Sequence, residues 1–192
     1  MDELQLRTKL KNGDREAFRQ AVEKYQSFIL NCSFKFVRSR ETAEDITQEV
    51  FLEMWSSIHS FRGDAKLSTW LYRIAIAKSL NHVKSLQRKK RFGIIVNIFE
   101  TAETNEQLPP SGDPTPEEQL VIQERAMILQ QALDHIPENQ RVAFTLSKYE
   151  YLRHEEIAEI MAVSTSSVES LIHRAKENLR KKLTGYYRHH LK

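Results

Sequence analysis

Residues 41–91 read ETAEDITQEVFLEMWSSIHSFRGDAKLSTWLYRIAIAKSLNHVKSLQRKKR, two helical patterns separated by a short turn. In the first, from about Thr42 to Ile58, apolar residues recur at Ala43, Ile46, Val50, Met54 and Ile58. That spacing is close to the period of about 3.6 residues that buries one side of a helix. Asp45, Gln48, Glu49 and Leu52 fall at i, i+3, i+4 and i+7 on the opposite side, a polar and mainly acidic stripe. Phe61-Arg62-Gly63-Asp64 makes the turn. The second helix begins near Ser68, opens on Trp70 and Tyr72, and closes on Arg88, Lys89, Lys90 and Arg91. An acidic face beside a basic, aromatic-led helix calls for two different partners.

The whole chain of 192 residues carries a formal net charge of only +3, but the sign is segregated. Residues 61–92 hold nine Lys or Arg and one Asp, whereas residues 93–120 hold six acids and no cation. Such a cationic block is the footprint of phosphate contact, although a solvated basic helix has the same composition. Hydrophobic residues make up 40% of the chain, enough for real cores, and Gly and Pro number five each, which favours helices over β-sandwiches. The length accommodates two small domains. The single cysteine, Cys32, excludes an internal disulfide and a cysteine-based zinc site; within Phe28-Ile29-Leu30-Asn31-Cys32 it reads as a small buried hydrophobe. The N-terminus has no apolar signal core, and no run approaches the length of a membrane span, so a soluble, cytoplasmic protein without membrane insertion is expected.

Taken in order, Leu4, Leu6 and Leu10 have helical spacing up to Asn12-Gly13. Asp14 is placed to cap a helix from Arg15 to about Val37, with Phe18, Val22, Tyr25, Ile29 and Phe36 on one side. This helix is expected to pack on Thr42–Ile58, closing a helical domain near residue 92. Gly93–Phe99 fits either a short strand or an apolar anchor. Residues 100–118 contain four of the five prolines and no basic residue, an acidic linker that ends at Pro116 as a helix start. The domains are therefore drawn at 1–92 and 119–192, with 93–118 between them. In the second, Leu120–His135 is amphipathic, Pro137 breaks it, and Glu138–Tyr149 follows. The fold class is all-α: two small helical domains joined by an acidic, proline-containing linker.

Glu155–Leu183 has the helix-turn-helix pattern. Ile157, Ala158, Ile160 and Met161 bury the first helix and Val163 packs in the turn. Ser164 or Ser166 caps the second helix, the latter with Glu169 as a capping box. Val168, Leu171, Ile172, Ala175 and Leu179 form its buried stripe. Thr165, Ser166, Ser167, Ser170, His173, Arg174 and Lys176 face outward. Hydroxyls at the start followed by cations suit a helix entering a major groove, and an ordinary helical hairpin shares the pattern.

Residues 154–176, HEEIAEIMAVSTSSVESLIHRAK, resemble the promoter-reading helix-turn-helix of sigma factors of the sigma-70 family. AEDITQEVFLEMW and FRGDAKLSTWLYRIAIAKSLNHVKSLQRKKR resemble that family's core-binding and minus-ten-reading segments, region 2, with region 4 at the C-terminal end. Order, spacing and short linker are similar to the extracytoplasmic-function group, over roughly residues 10–185.

The resemblance implies that Asp45, Gln48 and Glu49 meet cations of the polymerase β′ subunit, with Leu52 or Phe51 as an apolar anchor and Phe51 the better fit to the core. It implies a flipped base held at Phe61–Thr69, where Arg62, Lys66, Ser68 and Thr69 are the polar candidates and Tyr72 a stacking one; Trp70 reads as core. Arg73, Asn81, Lys84 and Arg88 share one stripe and are the candidates for upstream minus-ten contacts. It implies that Thr165, Ser166, Ser167, Ser170, His173, Arg174 and Lys176 read the minus-thirty-five element. The implied partners are the core polymerase β′ and β subunits, promoter DNA and an anti-sigma factor. The acidic linker suits either a charged polymerase channel or a solvated tether. Two departures stand out. Ala162 occupies a position where the family often has Gly, which tolerates a helix former if the turn opens differently and leaves the fold unchanged; and Glu169 and Leu171 stand where cations are common.

No metal or cofactor is implied, and the chain is not expected to be an enzyme. The acids of residues 41–58 lack a His or third carboxylate at ligand spacing, which disfavours a metal-dependent nuclease. A stand-alone helix-turn-helix regulator would explain Glu155–Leu183 but leave the acidic stripe without a purpose.

Overall fold

A computed structural model describes residues 2–91 and 116–190, and within them every regular element is a helix. The chain forms two compact units. The first contains α1 (Glu3–Lys11), α2 (Arg15–Val37), α3 (Arg40–Ser57), a 3-10 turn (Ile58–Ser60) and α4 (Leu67–Arg91). The second contains α5 (Pro116–Asp134), α6 (Glu138–Lys148), the first turn of α7 (His154–Met161) and α8 (Thr165–His190). The Gly93–Phe99 run and the linker up to residue 115 lie outside the described residues.

Each early helix starts where a side chain satisfies its free N–H groups. Asp2 accepts from Gln5 N at 2.8 Å, Asp14 from Glu16 N and Ala17 N at 2.8 and 3.1 Å, and Ser39 from Thr42 N at 3.2 Å. A cap of this kind contributes about 1 kcal/mol. Ser39 thus starts α3 two residues before the position expected from periodicity. In the core, Ile29 of α2, Val50 and Met54 of α3, and Leu71 and Ala75 of α4 are fully buried together, with Leu6 and Leu10 of α1. Leu4, expected on the same face, is exposed.

The loop between α3 and α4 is held from α1. Glu3 Oε1 accepts from Leu67 N at 2.6 Å, satisfying one free N–H at the start of α4. Gly63 has φ +86, and a Cβ there would collide with the Arg7 guanidinium. Arg7 also lies 6.0 Å from the centre of the Phe61 ring.

In the second unit, Ala132, Leu133 and Ile136 pack against Ala175 and Leu179 of α8, with Phe144 of α6 alongside. Asn178 Nδ2 donates to Gln140 Oε1 at 2.8 Å, fixing α8 on α6. Burial of α5 begins only near Ile128; Leu120, Val121 and Ile122, at the start of the amphipathic stretch, are exposed. Helix α8 continues past Leu183, the expected end, to His190.

The turn between α7 and α8 corrects two expectations, the packing of Val163 and the Ser166–Glu169 capping box. Val163 N donates to Ala158 O at 3.1 Å and Ala162 N to Glu159 O at 3.4 Å, the paired bonds of a Schellman cap. Ala162 sits at φ +54, so the turn has the left-handed form that glycine usually supplies rather than a different one. Val163 is exposed instead of packed. Ser164 caps α8, accepting from Ser167 N at 3.2 Å, and the Ser166–Glu169 capping box does not form.

A side chain in the left-handed region costs roughly 1 kcal/mol. Ala162→Gly is therefore expected to raise the thermal midpoint by a few degrees in calorimetry. An unchanged or lower midpoint would show that alanine carries no strain there.

Candidate functional site

Packing of α3 through Ala43, Ile46, Val50 and Met54 turns Asp45, Gln48, Glu49 and Leu52 to the surface. Leu52 is 66% exposed, a large apolar side chain among acids. Phe51, one residue earlier, points the other way into the core and drops out of the candidate surface. Trp55, at i+3 from Leu52, extends the stripe while its ring meets Phe18 of α2 edge-on at 5.0 Å. Trp55 is absent from the candidates named above, although its i+3 spacing from Leu52 is a signal legible in the sequence.

The acids of this stripe are not equivalent. Lys78 of α4 pairs with Glu49 at 3.1 Å and Glu53 at 3.0 Å, its side chain only 25% exposed. Burial opposes its charge, but the hydrogen bonds it donates to Glu53 and Glu49 outweigh that, and its pKa is raised. Glu49 thus spends part of its charge inside the unit. Asp45 makes no ion pair among the described residues and is open to an external cation.

Helix α4 presents Arg73, Ala77, Asn81, Lys84 and Arg88 along one exposed stripe, while Leu67, Leu71, Ile74 and Ala75 face inward. In the preceding loop Arg62 and Lys66 are exposed and Ser68 is half-buried. Phe61 stacks on Trp70 at 4.9 Å with the planes 16° apart, so Trp70 lies half-buried against the core as expected. The two other candidates of this group are inside. Thr69 is buried, and the Tyr72 ring is buried 4.0 Å from that of Phe28 on α2. A cationic loop beside a stacked aromatic pair can hold a phosphate and an unstacked base at once.

On α8, burial of Val168, Ile172, Ala175 and Leu179 turns Ser166, Ser170, His173, Arg174 and Lys176 outward; Thr165, Ser167 and Leu171 are half-buried. Ser164 Oγ lies 3.1 Å from Ser166 Oγ and 2.8 Å from Ser167 Oγ, a hydroxyl cluster over the first turn. Hydroxyls at a helix start followed by exposed cations match a polyanion in charge and hydrogen bonding. Among the described residues no group of three or more His, Cys, Asp and Glu is placed to hold a metal ion, and no helix is long and apolar enough to cross a membrane.

Two family models match this chain: sigma-70 region 2 over residues 21–89 and sigma-70, region 4 over residues 126–179. The chain is similar to the RNA polymerase sigma-H factor of Pseudomonas aeruginosa, 35% identical over 180 residues, 93% of this chain and 92% of that one. The ECF RNA polymerase sigma-E factor of Haemophilus influenzae is 32% identical over 176 residues, covering 91% of this chain and 92% of its own. Among solved structures, the fold resembles CnrH in complex with the cytosolic domain of CnrY, at a TM-score of 0.64 and 20% identity over 95% of this chain and 97% of that one. It also resembles the sigma factor RpoE in complex with the anti-sigma factor NepR from Bartonella quintana, at 0.58 and 18% over 87% and 96%.

The Lys78 tie has a testable pH signature. A lysine whose folded pKa is raised contributes stability that is full below its ordinary pKa and is lost as pH rises through the folded value. Lys78→Met should cost about 1 kcal/mol in urea melts at neutral pH, and the deficit should fade above the usual lysine range. A deficit constant into alkaline pH would assign the loss to packing.

Proposed function

The chain belongs to the sigma-70 family of RNA polymerase sigma factors, in its extracytoplasmic-function group, and on that premise we propose how its surfaces divide the work. The family consists of transcription initiation factors, not enzymes, and this chain performs no catalysis by itself. It docks on core polymerase in the cytoplasm and directs the holoenzyme to a dedicated set of promoters.

The observation that carries the docking assignment is Leu52, 66% exposed in the middle of the α3 acids with Trp55 at the stripe's edge, while Ala43, Ile46, Val50, Phe51 and Met54 of that helix are buried. An exposed apolar anchor among acids suits an interface with a basic partner surface better than it suits water. Asp45, Gln48, Glu49 and Leu52 form the β′-facing dock, with Trp55 at its edge. Residues 1–92 act as region 2, binding core and opening the minus-ten element. There Arg62, Lys66 and Ser68 surround the flipped base beside the Phe61–Trp70 stack, and Arg73, Asn81, Lys84 and Arg88 hold the DNA just upstream. Residues 93–118 are the acidic linker. Residues 119–192 act as region 4, in which Thr165, Ser166, Ser167, Ser170, His173, Arg174 and Lys176 read the minus-thirty-five element. Two proteins of similar fold were solved with the cytosolic domain of CnrY and with the anti-sigma factor NepR. By analogy an anti-sigma factor holds this chain inactive.

The test is affinity for bacterial core polymerase. Asp45→Arg combined with Leu52→Glu should weaken core binding at least about tenfold, since reversing a close charge and removing an anchor each cost a kcal/mol or more. Neither side chain belongs to the core, so the melting profile should be unchanged. Undiminished core binding by this double variant would contradict the α3 dock.

A further inference from the structure

Resting on the assignment of α8 to the minus-thirty-five element, we propose that Glu169 is a specificity-determining residue that selects a cytosine there, its carboxylate accepting from the exocyclic amino group. Glu169 lies on the second turn of α8, between Ser166 three residues before and His173 four residues after. Its side chain is 61% exposed.

The structural duties that would explain a carboxylate at this place belong to other groups. Ser164 provides the cap, and with Thr165 as the first helical residue Glu169 lies beyond the four N–H groups that need one. Its charged partner among the described residues is His154 at the start of α7, with Nδ1 3.7 Å from the carboxylate oxygen. That separation permits an ion pair when the imidazole is protonated but no hydrogen bond. The acceptor oxygens therefore stay available at the surface.

What they can accept from follows from the rest of the face. Ser166, Ser170, His173, Arg174 and Lys176 are groups that favour a polyanion, and a carboxylate among them lowers affinity for every DNA sequence alike. A base-edge donor can reverse that loss at one position. In the major groove the amino donors are cytosine N4 and adenine N6. Adenine presents its N6 beside the N7 acceptor, which suits an amide such as Gln, with one donor and one acceptor, and repels a carboxylate. Guanine offers acceptors only. Cytosine is what remains, so Glu169 combines a uniform penalty with a gain at a single base, and that combination discriminates.

The experiment uses holoenzyme reconstituted from bacterial core and the full chain, with a promoter pool randomised through the minus-thirty-five block; DNA retained in complexes is sequenced. Wild type should favour cytosine about tenfold at one position. Glu169→Gln should move the preference at that position to adenine and leave the others unchanged. Glu169→Ala should erase it and raise overall DNA affinity at low salt. Glu169 is outside the core, and a circular dichroism melt confirms that both variants fold. Position preferences in both variants identical to wild type would overturn the role of Glu169 while leaving α8 as the reading helix. A wild-type holoenzyme that enriches no sequence in the block would overturn the minus-thirty-five reading, and Glu169 with it.

Discussion

The first unit depends on α2 being buried against α3 and α4 at the same time. Ile29, Val50, Met54, Leu71 and Ala75 close a single core, and none of them can rotate outward without opening a cavity worth several kcal/mol. Once those stripes are inside, the remaining faces are determined by helical geometry. Helix α3 must show Asp45, Gln48 and Leu52, and α4 must show Arg73, Asn81, Lys84 and Arg88. Acid and base are thereby presented on separate helices of one rigid body. Lys78 sits where they meet and pairs with Glu49 and Glu53, which leaves Asp45 as the acid of the Asp45–Leu52 stripe without an ion pair among the described residues.

The helices and their outward faces could be read from periodicity because burial in a two-layer helical unit follows the helical repeat closely. Asp14 as a cap, Pro116 as a helix start and the exposed stripe from Arg73 to Arg88 were all local properties of the chain. Where the reading failed, the deciding contact came from far away in sequence. Tyr72 is inside because Phe28 of α2 offers its ring a partner, and nothing near Tyr72 signals that. The loop before α4 is set by Glu3 and Arg7, some sixty residues upstream. Phe51 and Leu52, by contrast, separate as helical phase implies, Phe51 into the core and Leu52 onto the acidic stripe.

The second unit shows a different kind of miss. Ser164 and Ser166 are equally good caps by residue type, and the choice turns on the Schellman bonds of the preceding turn, which set where α8 can begin. Ala162 accepts a left-handed backbone that its side chain disfavours, so the geometry of the helix pair is maintained at a small local cost. Starting α8 at Thr165 frees Glu169 from capping and leaves its carboxylate on the same surface as the cations. A two-residue difference in chain entry thus decides whether that acid is structural or available to a ligand.

The central claim, that this chain gives promoter choice to core polymerase, is tested most directly by mapping transcript starts on fragmented bacterial genomic DNA with core polymerase, with and without the protein. The account predicts new starts that appear only with the protein and share two upstream sequence blocks at a constant spacing. A protein that binds the DNA but adds no start sites, or adds starts without a common pair of blocks, would contradict it.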